Sequence, residues 1–175
     1  ILAHFMGLSM CYSGLTDERK KSRIRMKNMN TIDRKREVFR MILNQNALFQ
    51  IGYGLYLVAA NENGKDNACI VNTVMQVTQN PVRLLVSIRN QNLTHDMVMN
   101  TGKLTISVLT EKTPFSVYSH FGYQSGKKVD KFEDFEDVTR CANGCYRLNR
   151  NSSAYFCGTV CDSFVLDTHT MFLVE

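Results

Sequence analysis

Tyr53-Gly54-Leu55-Tyr56-Leu57-Val58-Ala59-Ala60, then Asn61-Glu62-Asn63-Gly64-Lys65-Asp66-Asn67, then Ala68-Cys69-Ile70-Val71-Asn72-Thr73-Val74, is the stretch on which the fold turns. Its first part is dense in large strand-forming residues. The middle part carries Asn63-Gly64, the dipeptide favoured in tight hairpin turns. The last part resumes a strand-like apolar run. Together they predict two adjacent antiparallel strands near the centre of the chain.

Toward the C-terminus, Pro81 follows a turn-like Gln79-Asn80, and residues 82–88 read as a third strand. Asn90-Gln91-Asn92-Leu93-Thr94 is polar and rich in capping residues, so a short helix is expected over 95–100, stopped by Gly102. Residues 104–109 alternate as a fourth strand. A further helix is expected over 113–121, with Pro114 in its first turn, before a charged, glycine-containing loop at 122–137. Residues 154–161 and 168–174 supply the last two strands. Six strands with hairpin and short helical connections imply a mainly β fold, a β-barrel with peripheral helices. There is no sign of repeated βαβ units and no Gly-x-Gly-x-x-Gly, so a dinucleotide-binding Rossmann domain has no support in the sequence.

Toward the N-terminus the texture changes. Residues 1–40 hold ten Lys/Arg against four Asp/Glu, whereas residues 41–175 hold eleven against twelve. The net charge of +5 therefore belongs to the leading segment. Residues 1–43 are expected to form a basic helical extension, and residues 44–175 the barrel domain. A basic surface helix is the favoured account of Arg19-Lys20-Lys21-Ser22-Arg23-Ile24-Arg25-Met26-Lys27; a nucleic-acid-binding arm is the rival. The apolar opening, residues 1–8, lacks the flanks of a signal peptide, and no apolar stretch has bilayer-spanning length. A cytoplasmic protein without membrane contact is expected. The six cysteines (Cys11, Cys69, Cys141, Cys145, Cys157, Cys161) are read as buried free thiols. Cys157 and Cys161, about 13 Å apart along a strand, could not share a tetrahedral ion, so no metal site is expected.

Three positions suggest ligand chemistry from the residues themselves. Arg89 offers a fork of charged donors and Thr94 a hydroxyl, beside the free amides of a helix start, which suits a phosphate. Solvated Arg89 and a plain cap are the competing account. Asn72 and Thr73 place polar groups at the end of an apolar run, where they need partners if buried. His169, between two threonines, could face a ligand or simply bond to backbone. Asp167, two residues earlier, could share its face.

In order along the chain, several segments resemble the flavin-reductase-like family of FMN-binding split barrels. They are Gly52-Tyr53-Gly54-Leu55-Tyr56, residues 67–78, Ser87-Ile88-Arg89-Asn90-Gln91-Asn92-Leu93-Thr94, residues 121–132, and Asp167-Thr168-His169-Thr170-Met171-Phe172. The anaerobic-type reductases and flavoredoxin-like proteins are the most similar subgroup. The resemblance implies a homodimer with FMN as cofactor, NAD(P)H as electron donor, and a redox protein such as rubredoxin as possible partner. It implies that Ile70, Val71, Asn72 and Thr73 line the flavin and that Arg89, Asn90, Asn92 and Thr94 bind its phosphate. Lys131 would border the cofactor, and His169 would serve the reacting side. The implied activity is hydride transfer from NAD(P)H to flavin. A flavoredoxin-like carrier without NAD(P)H activity and a non-redox nucleic-acid module are the alternatives.

Overall fold

The computed structural model describes residues 30–33 and 45–175, in two compact units divided after Gly52. In the first unit, Asn30 Oδ1 accepts the backbone N–H groups of Ile32 (3.1 Å) and Asp33 (2.9 Å), the hydrogen bonds of a helix N-cap. A single helical turn spans Gln45–Leu48. The remainder of the expected basic helices lies outside the described residues.

The second unit holds nine strands: β1 Tyr56–Glu62, β2 Lys65–Val71, β3 Val74–Gln79, β4 Val82–Arg89, β5 Lys103–Leu109, β6 Val138–Arg140, β7 Tyr146–Leu148, β8 Ser152–Val165 and β9 His169–Val174. Helix α1, Leu93–Thr101, follows β4, and the short α2, Phe115–Tyr118, runs into a π-helical turn, Ser119–Tyr123. Seven strands make one antiparallel sheet in the order β2-β1-β5-β8-β9-β4-β3, and β6-β7 form a separate hairpin. The seven-stranded sheet is curled. Cys69 and Val71 from one edge strand share a buried cluster with Val86 and Ile88 near the other edge, around Val58, Ile106, Met97 and Phe172. This is a split barrel with α1 packed against its end.

β1 explains why its sequence is so uniformly apolar. Val58 and Ala60 face the barrel core. Leu57 and Ala59, on the opposite side, are sealed by Val117, Phe121 and Leu148. A strand covered on both faces has no solvent side to make polar. Asn63 (φ 52°) and Gly64 (φ 82°) both take the left-handed conformation between β1 and β2, as the hairpin reading requires. The β6–β7 hairpin is clamped to β2 by Arg140, whose Nη1 and Nη2 donate to Asp66 Oδ1 (3.0 Å) and Oδ2 (2.8 Å).

Several sequence expectations are corrected. The second strand does not continue to Val74. It ends at Val71, and after Asn72-Thr73 a new strand, β3, begins. Its alternation was masked because it is exposed along most of its length. β6 and β7 have three residues each, too short for a periodic signal. The helix expected over 113–121 is one α-turn plus the π turn. Asp167 lies in the bend before β9, where Leu166 N–H donates to His169 O (2.8 Å), so strand alternation does not relate it to His169. Among the described residues, no helix is long and apolar enough to cross a membrane.

Candidate functional site

The C-terminal end of β4 meets the start of β9, and this junction brings two candidates face to face. In the antiparallel register Arg89 is paired with His169 and Ile88 with Thr170. Directly opposed residues project to the same side of a sheet. Arg89 and His169 therefore stand side by side, both exposed. Among the described residues Arg89's guanidinium has no hydrogen-bond partner, and His169 Nδ1 has the neighbouring Thr168 hydroxyl, at 2.8 Å.

Behind this pair lies a hydrogen-bonded brace. Asn90 Nδ2 donates to Leu166 O (3.0 Å), which turns its Oδ1 toward Thr170. The Thr170 hydroxyl donates to that oxygen at 2.9 Å. Its single hydrogen being spent, Thr170 Oγ1 accepts from His95 Nε2 at 3.0 Å. His95 Nδ1 lies 3.1 Å from Asp96 Oδ1, and Asp96 Oδ2 pairs with Lys127 Nζ at 2.9 Å. Burial pushes the Asp96 carboxyl up, but the hydrogen bonds and charges of Lys127 and His95 outweigh it and hold Asp96 below the usual carboxylate range. His95 packs its ring 5.7 Å from that of Phe172. A short helix with few periodic positions gave no sign of this inward face.

Asn92 is the N-cap residue of α1, yet its side chain makes no cap hydrogen bond. By helix geometry the N–H groups of Leu93, Thr94 and His95 have no carbonyl partner within the helix. Asn92 N–H itself donates to Arg89 O (3.0 Å), which turns the chain so that α1 starts beside Arg89. The Thr94 side chain goes the other way. Its hydroxyl is fully buried and accepts from Asn67 Nδ2 at 2.8 Å. Burial pushes the Cys69 thiol up, partly offset by Thr94, the charge of Lys131 and Asn92. Thr94 and Asn92 thus both turn their side chains toward the barrel interior.

On the other strands, Asn72 and Thr73 fall in the break between β2 and β3, where Thr73 Oγ1 donates to Asn72 Oδ1 (3.1 Å). Ser87 N–H donates to Thr73 O (3.0 Å), holding this break two residues from Arg89 along β4. Ile70 is half-buried against the outer cluster and Val71 is in the barrel core. Lys131 is turned inward. Its ammonium, only 3 % exposed as a residue, donates to Ala68 O and Phe121 O, each at 2.8 Å. Burial lowers its proton affinity, countered in part by Cys69. His120 reinforces the same loop, with Nε2 2.6 Å from Lys131 O and its ring against Phe121 and Phe135. The lysine of this loop that reaches α1 is Lys127.

The arrangement can bind an anion. An unshared guanidinium, a helix start with open amides and an exposed imidazole converge on one rim, and a phosphate dianion fits that donor set. Among the described residues no group of three His, Cys, Asp or Glu is placed to hold a metal ion.

The fold is that of a split-barrel protein. Residues 48–175 match the profile of the flavin reductase like domain, and the chain belongs to that family. It is 32% identical over 131 residues to the high molecular weight rubredoxin of Moorella thermoacetica, covering 75% of this chain and 57% of that protein. It is 32% identical over 133 residues to the ferric-chelate reductase (NAD(P)H) of Archaeoglobus fulgidus, covering 76% and 78% respectively. The chain thus spans little more than half of the rubredoxin relative. Among solved structures, flavoredoxin from Methanosarcina acetivorans superposes with a TM-score of 0.63 at 22% identity, over 70% of this chain and 65% of that one. An FMN-binding protein from Thermus thermophilus gives 0.65 at 17% identity, over 73% and 70%. At such identities these two establish the fold.

Proposed function

We propose that this chain is an FMN-dependent flavin reductase that takes electrons from NAD(P)H and passes them to a free or protein acceptor. The observation that carries the reading is the Arg89–His169 cross-strand pair: two exposed, cationic-capable side chains, side by side at the mouth of an open helix start. Bound FMN would supply the hydride acceptor and the electron relay. The chain's own residues have simpler tasks. Arg89 and the first amides of α1 neutralise the phosphate, with Asn90 and Asn92 fixing the turn between them. Ile70 to Thr73 present backbone and side-chain groups along the flavin. His169 lies where its imidazole can hydrogen-bond a flavin or orient a nicotinamide. Lys131 supports the loop that covers β2. The match to a relative named as an NAD(P)H ferric-chelate reductase supports this assignment.

Homodimer formation belongs to the same proposal. Met75, Val77, Phe164, Val165 and Leu166 are exposed apolar side chains on β3, β8 and the bend that follows, and a second copy would cover them. The relative named as a rubredoxin favours a second reading, an electron carrier serving a redox protein. Stopped-flow mixing of the FMN-loaded protein with NADH and NADPH separates the two. Rapid bleaching of flavin absorbance is the expected result. A flavin that stays oxidised with both donors, yet is reduced by a reduced partner protein, makes the chain a carrier.

A further inference from the structure

The cysteine spacing along the chain hides a pair that the fold creates. Cys141 and Cys145 flank a tight turn closed by Cys141 N–H to Cys145 O and Gly144 N–H to Cys141 O, both 2.9 Å, with Gly144 at φ 88°. Asn143 fastens this turn to β5. Its Nδ2 donates to Leu104 O at 2.9 Å, and its Oδ1 accepts from Cys145 N–H (3.1 Å) and the Thr105 hydroxyl (3.2 Å). Thr105 is also the register partner of Cys157 on β8, and its hydroxyl lies 3.7 Å from Cys157 Sγ. Cys141 opens this turn two residues before Asn143, so the hydroxyl that Asn143 accepts from ties the Cys141 turn to the strand of Cys157. One threonine thus joins the turn of Cys141 to the strand of Cys157.

The two thiols differ in access. Cys157 is exposed and Cys141 is half-buried, so the expectation of uniformly buried thiols is corrected; Cys161 is exposed too, while Cys145 is sealed. We propose that Cys141 and Cys157 are a redox-active dithiol, oxidised to a disulfide that bolts the Cys141–Cys145 turn to β8. A hydroperoxide is the oxidant class that suits an exposed thiol beside a sheltered one. The Cys157 sulfur attacks the peroxide O–O bond, the alcohol or water leaves, and Cys157 becomes a sulfenic acid. The Cys141 sulfur then attacks the Cys157 sulfur. The S–S bond forms, the S–O bond breaks, and hydroxide leaves with the Cys141 proton as water. Two thiols lose two electrons and the peroxide gains them; an external thiol reverses the change by exchange. Burial and the adjoining Cys157 push the Cys141 thiol up to about 11, against Thr105 and Arg147, which suits the resolving rather than the attacking role.

The test uses the full chain exposed to a modest excess of hydrogen peroxide, alkylated and digested without reductant. Peptide mass spectrometry should show a Cys141–Cys157 cross-linked species, lighter by two hydrogens and removed by dithiothreitol. C161S should retain it at the wild-type yield. C157S should abolish it, and being at an exposed position it should fold normally. C141S and C141A should abolish it as well, while converting Cys157 into a sulfenic acid trapped by dimedone. Wild-type protein that accumulates trapped Cys157 without the cross-link overturns the proposal. So does an outcome in which Cys161-linked dimers are the only disulfide formed, or one in which Cys157 stays unmodified.

Discussion

Two polar regions of this barrel, built from neighbouring stretches of sequence, meet opposite fates. At the sealed end, Asn67, Thr94 and Lys131 are buried, and each is consumed by a partner in the protein. At the open end, Arg89 and His169 stand on adjoining strands with almost nothing of the protein to bond. The difference teaches which polar residues hold the fold and which are held ready by it. A buried donor must be satisfied internally, and among the described residues every buried side-chain nitrogen and oxygen is. An exposed donor on a rigid strand is already satisfied by water and gives it up to a ligand at small cost.

That contrast can be broken most severely at Lys131. Lys131→Met should strip the Ala68 and Phe121 carbonyls of their partner and cost about 2–4 kcal/mol, read from urea denaturation. If the variant is as stable as the parent, the sealed end is not what holds the loop to β2. Arg89→Ala should do the reverse. Stability should change by less than about 0.5 kcal/mol. FMN affinity should fall by roughly tenfold to a hundredfold, with riboflavin binding little changed, as a charge-assisted phosphate contact of about 1.5–3 kcal/mol implies. Titration calorimetry with both ligands decides it; equal losses for the two would remove Arg89 from a phosphate site.

Thr170→Val probes the brace between the regions. It leaves Asn90 Oδ1 and His95 Nε2 without their shared hydroxyl and should cost about 1–2 kcal/mol. Riboflavin and FMN affinities should then fall together, because the rim shifts as a unit. The smallest effect belongs to Asp96. Its folded-state pKa is depressed, so its stabilising contribution is complete above the unfolded value of about 3.9 and is lost as pH falls through the folded one. Because the Asp96 side chain is 41% exposed, screening limits that contribution to about 0.5 kcal/mol. Acid titration of stability for Asp96→Asn against the parent should show the difference shrinking below that pH.

Much of the architecture was legible in the residues. β1 announced itself because both its faces are covered, and Asn63-Gly64 because few dipeptides tolerate two left-handed residues in succession. β3 was not legible, since an exposed strand such as Val74–Gln79 has no burial to impose alternation. Arg89 and His169 could each be singled out by residue type. That they stand opposite one another follows only from the β4–β9 register. The burial of Lys131 was not legible for a different reason. Lysines in glycine-containing loops are usually solvated, and nothing local in Lys127-Lys128-Val129-Asp130-Lys131 distinguishes the one that dives inward. The Cys141–Cys157 juxtaposition was invisible likewise, because a turn and a strand far apart in sequence meet only through β5.

β8 has one further consequence. Its residues up to Thr159 pair with β5, and from Val160 onward it pairs with β9, with the handover marked by Thr159 and Glu175 exchanging backbone bonds at 2.7 and 2.9 Å. A one-residue slip of this strand would turn every side chain to the wrong side in two ladders at once. The strand therefore works as a double lock on alignment: a chain that mispairs on one flank is refused by the other.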